Sequence, residues 1–255
     1  TPNDSVITYD NAGNSATLID PFYVKKDTVG PVITNNILGG DNVWRTASGT
    51  TYDVDWTDAK SLLSYVQYTV YSNTGQTGTT LKDWTNIAIS INASDYTDNW
   101  QVDFASLQEG TNYVSVRAYD NLSNLTTLTD AFYVKKDTTN PGITDNQIGD
   151  DTWKNVSGTT YNVDFSDNQS LLSYAQYTIW SNTVQTGSLI KDWTNIASSI
   201  NASSYTDNWQ VDFNSLQQGT NYVSVRCYDN VSKVTTQNDV FYVKKDTVTP
   251  NAISN

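Results

Sequence analysis

The phrase FYVKKDT occurs three times, beginning at Phe22, Phe132 and Phe241, at intervals of 110 and 109 residues. Between the last two the likeness spreads over a whole unit: Trp44 to Lys136 aligns on Trp153 to Lys245 without a gap, with 67 identities in 93 positions. A period of that size suits a self-sufficient domain better than a small solenoid repeat. The one-residue slip falls at Gly39-Gly40, which Gly149 replaces in the second copy. The chain is thus expected to hold two complete repeats, 28–137 and 138–246. Residues 1–27 align with 111–137 and hold the last two strands of a preceding unit, and 247–255 supply the first strand of a following one. A lone hairpin is marginal in water. The ends are therefore expected to come from a longer tandem array, or to be completed by adjacent copies.

Within a repeat, apolar residues alternate with period two, the pattern of half-buried strands. Seven are expected: A near 32–34, B over 50–57 and C over 63–71, then D over 84–91, E over 99–104, F over 112–119 and G over 125–135. Tyr52, Val54 and Trp56 share one face of B, and Val114, Val116 and Ala118 share one face of F. Of 27 acidic side chains only Glu109 is Glu, and the Asp and Asn left over favour turns and caps over helix interiors. Seven short strands in such a unit predict an all-β chain of tandem antiparallel sandwiches of the immunoglobulin type.

Asp27-Thr28-Val29-Gly30-Pro31 and Asp137 to Pro141 resemble the opening of bacterial immunoglobulin-like (Ig-like or Fn3-like) tandem-repeat domains of large cell-surface proteins. Gly110-x-Asn112-x-Val114-x-Val116-x-Ala118-x-Asp120 and Asp10-Asn11-Ala12-Gly13-Asn14 are similar to later parts of the same pattern. In the complete repeats Leu122-Ser123-Asn124 and Val231-Ser232-Lys233 depart from the Ala-Gly-Asn turn. The resemblance covers almost the whole chain and implies a fold more than an activity.

Composition removes several chemistries. There is no histidine, so no His-dependent nucleophile or imidazole ligand, and the single Cys227 permits neither an internal disulfide nor a thiolate zinc site. Cys227 takes an inward position on strand F and reads as a small buried hydrophobe. Net charge −13 would repel phosphate backbones, which argues against a nucleic-acid partner. No apolar run is long enough to span a membrane. Paired carboxylates such as Asp53 and Asp55 lie on an outward strand face, and Asn162 replaces Asp53 in the second copy. No catalytic residue is therefore assigned, and the chain is read as not an enzyme.

Two kinds of site are expected. Strand directions gather the B–C, D–E and F–G loops at the pole where strand A enters. That would bring together Asp27, Asp58, Asp98, Asp120 and Asn121, joined by Asp95, and in the second repeat Asp137, Asp167, Asp207, Asp229 and Asn230, with Ser204 in place of Asp95. Hard oxygens from several segments suit Ca²⁺, although the three Lys-Lys pairs beside the junctions offer neutralisation without metal. The second is an aromatic face on strand C, with Tyr65 and Tyr71 in one copy and Tyr174 and Trp180 in the other, able to stack on sugars or a neighbouring subunit.

These features point to a structural segment of an extracellular or cell-surface tandem-repeat protein of bacterial type, a surface fibre, stalk or adhesin shaft. Its partners would be neighbouring repeats or adjacent copies in a fibre. The alternatives are a module binding carbohydrate or a host surface through the strand C aromatics, and a self-assembling filament subunit completed by neighbouring chains.

Overall fold

A computed structural model describes residues 5–37, 40–147 and 149–251. The Gly39 side of the loop slip and the extreme ends of the partial repeats lie outside the described residues. A hairpin, β1 (Ser5–Tyr9) and β2 (Ser15–Ile19), comes first. The next unit holds β3 (Val32–Asn35), β4 (Asp41–Arg45), β5 (Val54–Thr57), β6 (Leu63–Asn73), β7 (Thr77–Ala88), β8 (Asp95–Tyr96), β9 (Gly110–Asp120) and β10 (Leu125–Lys136). The other repeats that set with β11 (Gly142–Asp145), β12 (Asp150–Lys154), β13 (Val163–Ser166), β14 (Leu172–Asn182), β15 (Thr186–Ala202), β16 (Ser204–Tyr205), β17 (Gly219–Asp229) and β18 (Val234–Lys245).

Each unit is a two-layer sandwich. In the first, a three-stranded sheet β3-β5-β8 faces a five-stranded sheet β4-β10-β9-β6-β7, and the second gives β11-β13-β16 against β12-β18-β17-β14-β15. The inward residues are those alternation selects: Tyr52, Val54 and Trp56 from one layer, and Val66, Tyr68, Val70, Val114, Val116, Phe132 and Val134 from the other. Trp100 sits among Tyr52, Trp56, Tyr68 and Phe132, with ring centroids 5.1 to 6.4 Å away. Each large apolar side chain so buried contributes about 1.5–3 kcal/mol. The second unit has its own core, from Tyr161 to Val243.

The lone cysteine follows from that core. Val66 faces Ala118 across the first sheet, and the matching pair in the second is Ala175 and Cys227. A smaller residue on one strand is offset by a larger one opposite, which keeps the packed volume. Burial pushes the Cys227 thiol up to about 12, so it stays protonated and unreactive at neutral pH.

Three strands depart from the alternation-based expectation. The segment near Trp84 is not an inner D strand: β7 pairs with β6 at the edge of the five-stranded sheet. Alternation shows that a segment is half-buried and leaves open which sheet it joins. The expected E strand, 99–104, makes only the Tyr52–Trp100 bridge before a 3₁₀ turn at Phe104–Ser106, and the short β8 pairs with β5 instead. Finally, β4 runs parallel to β10, although Asp41-Asn42 reads as a turn.

The hairpin at the start keeps the conformation of its counterparts. Asp20, Asp130 and Asp239 all hold positive φ (52°, 50° and 51°), and in the complete units this residue marks the bulge in β10 and β18. Its apolar face is open, however: Val6, Phe22 and Val24 are 46, 59 and 77% exposed, where Val116, Phe132 and Val134 are 0 to 2% exposed.

Candidate metal centres at the junctions

The B–C loop after β5, the F–G loop after β9 and the incoming linker meet at one pole. Asp27, Asp58 and Asp120 each bring a carboxylate oxygen within 4.8 Å of the others, and Asp137, Asp167 and Asp229 do the same in the second repeat. Local hydrogen bonding places them. Asp58 Oδ1 accepts the backbone N–H groups of Lys60, Ser61 and Leu62, and Asp120 Oδ1 accepts those of Leu122 and Asn124. Each loop thus turns around its own aspartate, the behaviour expected of Asp at such positions, with the second oxygen directed to the cluster.

Asp137 belongs to both repeats. Its backbone N–H donates to Arg45 O at the end of β4 (3.0 Å), while its Oδ2 accepts the Ser170 N–H of the next unit (3.1 Å). The following linker residue, Thr138, turns back to the first unit, its N–H donating to Glu109 Oε2 (2.8 Å) and its hydroxyl to Oε1. Asp137, Asp167 and Asp229 are all at most 5% exposed.

The two clusters differ in how far the protein satisfies them. In the first, Asn124 Nδ2 donates to Asp120 Oδ2 (2.7 Å) and the Ser61 hydroxyl to Asp27 Oδ2 (2.9 Å). Asp27 is held below the usual carboxylate range by the Val29 N–H and the Ser61 hydroxyl, with help from nearby Lys60. Burial raises Asp120, but bonds from Asn124 and Ser61 more than offset it. In the second, Gln169 stands in place of Lys60 and Lys233 in place of Asn124. There Asp229 Oδ2 and Ser170 Oγ are buried without a hydrogen-bond partner. Burial, together with the neighbouring carboxylates, pushes both Asp167 and Asp229 above the ordinary value of 3.8.

The lysine pairs do not relieve this. Lys136 and Lys245 donate to the carbonyls of Phe104 and Leu107, and of Phe213 and Leu216, and Lys244 pairs with Asp151. Among the described residues no ion pair includes an acid of either cluster. The donor set of the second junction therefore fits a hard divalent cation: three carboxylates from three segments, a serine hydroxyl, and two buried oxygens with no other partner.

The remaining expected ligands lie elsewhere. Asp98 and Asp207 are exposed, between β8 or β16 and the buried Trp100 or Trp209, where they face Tyr96 and Tyr205. Asp95 is exposed too. Asn121 and Asn230 act as braces, their side-chain amides donating to Ser61 O and Ser170 O and so tying the F–G loop to the B–C loop. On strand C, Tyr65 and Tyr174 are half-buried and stack on Tyr119 and Tyr228, at 4.6 and 4.5 Å. Tyr71 and Trp180 lie further along the same strands, opposite Tyr113 and Tyr222.

The uncompensated acids have a pH consequence. Asp167 and Asp229 take up protons more readily folded than unfolded, so the metal-free protein gains stability as pH falls from neutral toward 3.8. Below 3.8 the lowered acids, Asp10, Asp27, Asp103, Asp120, Asp151 and Asp212, reverse the trend, because they are charged when folded and must be protonated. Melting of metal-stripped protein across this range should show a rise and then a fall. The rise should flatten in Asp167→Asn/Asp229→Asn.

Fold and site together define a class: tandem immunoglobulin-like sandwiches coupled through a buried acidic junction. No protein-family model and no curated protein sequence matches the chain. Solved structures similar to it include the fibronectin(III)-like modules of Clostridium thermocellum CbhA, at 13% identity over 88% of this chain and 100% of that one, with a TM-score of 0.30. A tetra-tandem repeat in the extending region of a large adhesion protein is 18% identical over 95% of this chain, which spans 56% of that one (TM-score 0.34). Protocadherin gamma B7 extracellular cadherin domains 1–4 give 12%, 96%, 65% and 0.37 for the same quantities. At these identities the likeness concerns the fold alone, and at these TM-scores no further conclusion is drawn from it. No helix among the described residues is long and apolar enough to cross a membrane.

Proposed function

We propose that the chain is a shaft segment of an extracellular tandem-repeat protein, with repeats at 28–137 and 138–246 whose relative orientation is fixed by Ca²⁺ at the junctions. The observation that carries this reading is Asp137, bonded through its backbone to one repeat and through its buried carboxylate to the next. An ion held there by Asp137, Asp167 and Asp229 would cancel their repulsion and tie the linker to both loops of the following unit. The work of such a segment is to hold length. A short linker ending at Pro141 limits bending from one side, and the cation removes the remaining freedom. Net charge −13 keeps neighbouring shafts apart.

Small-angle scattering with and without Ca²⁺ tests this. Calcium should lengthen the maximum dimension and narrow the distribution of interrepeat angles, and Asp137→Asn should abolish the change. Identical profiles at saturating calcium and in chelator would remove the proposal.

A further inference from the structure

The outer face of the five-stranded sheet carries a polar cell that occurs in both repeats and plays no part in the junction. Arg117 on β9 lies with its guanidinium carbon 4.1 Å from the Trp84 ring and 5.4 Å from the Tyr119 ring, and Arg226 repeats this with Trp193 and Tyr228 at the same distances. Its Nε donates to Gln67 Oε1 (2.8 Å), and Gln67 Nε2 in turn donates to Asn86 Oδ1 (2.7 Å). Gln176 and Asn195 complete the same relay for Arg226. The guanidinium is thus fixed on its faces by rings and at one nitrogen by an amide. Its two terminal nitrogens have no hydrogen-bond partner among the described residues, and neither arginine joins an ion pair there. In a chain with 27 acids and 14 bases, two arginines held rigid and away from every carboxylate are unusual.

A hollow adjoins each cell, about 460 Å³ beside Tyr65, Gln67 and Asn86 and about 550 Å³ beside Tyr174, Gln176 and Arg226. It opens where the edge strand slips register against β6 or β14. Two rim residues in each repeat hold positive φ, Ser90 and Asn92, then Ser199 and Asn201. Such backbone is costly for non-glycine residues, and it turns hydroxyl and carboxamide groups toward the hollow. Little apolar lining is present beyond the stacked tyrosines and Ile89.

We infer that this cell binds a carboxylate-bearing saccharide, one molecule per repeat, with the terminal nitrogens of Arg117 or Arg226 gripping the carboxylate. An oriented guanidinium with two free donors suits a carboxylate in bidentate fashion, where an ammonium would act only as a point charge. The Asn and Ser groups of the rim match ring hydroxyls, and the exposed edge of the Tyr65–Tyr119 or Tyr174–Tyr228 stack offers an aromatic surface to the sugar. The overall negative charge does not forbid this, since repulsion from distant acids is damped within roughly 8 Å at physiological ionic strength.

Titration calorimetry with glucuronate, N-acetylneuraminate and neutral glucose, together with retention on alginate, tests the inference, each run in chelator and in Ca²⁺. At least one acidic sugar should bind about tenfold or more tightly than glucose. Preference for N-acetylneuraminate would mark a terminal acidic sugar as the source, and retention on alginate would mark a polyuronate. Arg117→Lys/Arg226→Lys should lose about tenfold in affinity while melting within about 2 °C of the parent, as expected for a surface exchange. Failure of every acidic probe to bind, equal binding of glucose, or undiminished affinity in the lysine variant would overturn it. Because the cell is remote from the junction acids, its result is independent of any effect of calcium on shape.

Discussion

Adding millimolar Ca²⁺ to metal-stripped protein should raise the melting midpoint of the second repeat by about 10 °C. A ligand at a hundredfold excess over its dissociation constant stabilises by about 2.7 kcal/mol, and each kcal/mol moves a domain of this size by about 4–8 °C. The first repeat should respond less, because Asn124, Ser61 and Lys60 already satisfy part of its cluster. Asp137→Asn should remove the response and leave the metal-free midpoint equal to or above that of the parent, because it deletes one of three buried, mutually repelling carboxylates. That combination separates a metal site from an ordinary turn. A turn aspartate would lose stability on substitution, whether or not calcium is present. Mg²⁺ should be a poor substitute, as it demands stricter geometry and gives up its water reluctantly. An unchanged midpoint in calcium would reduce the junction acids to loop-forming residues.

Leu172→Ala should destabilise the second repeat by about 2–5 kcal/mol and leave the first untouched in metal-free protein. Leu172 is fully buried in one core and Leu63 holds the matching place in the other. Calorimetry should then resolve two transitions, with the later-numbered unit melting first, and Leu63→Ala should reverse the order. If calcium ties the repeats through Asp137, the two transitions should draw together when it is added. A single cooperative transition, displaced equally by either substitution in chelator, would mean one unit spanning both copies.

The sandwich was legible because its inward residues obey a two-residue period that few other structures satisfy, as on β5 and β9. What alternation could not show is the sheet a strand joins, and so β7 was misplaced. It also missed β4, whose acidic and amide residues resemble a turn while its backbone pairs along β10. The junction clusters were partly legible. Strand direction carried Asp58, Asp120 and the linker acid to one pole, but direction alone cannot tell a loop residue that points inward from one that points away, as Asp98 and Asp207 do. The arginine cell went unnoticed. Gln67 and Arg117 are 50 residues apart and meet only through the β6–β9 register. A cross-strand alignment of F with C in both copies would have placed Tyr65 beside Tyr119 and Gln67 beside Arg117.

The parallel alignment of β4 with β10 has a mechanical consequence. Residues near the entry of the repeat are hydrogen-bonded alongside residues at its exit, Asp41 by Val134, Trp44 by Lys135 and Arg45 by Lys136, and the chain leaves directly from there into Asp137. Tension applied along the shaft pulls these two strands past one another lengthwise, so their rungs resist together rather than parting one at a time like a zip. The weakest-looking strand in the sequence therefore serves as the clasp that keeps each bead closed when the string is drawn tight.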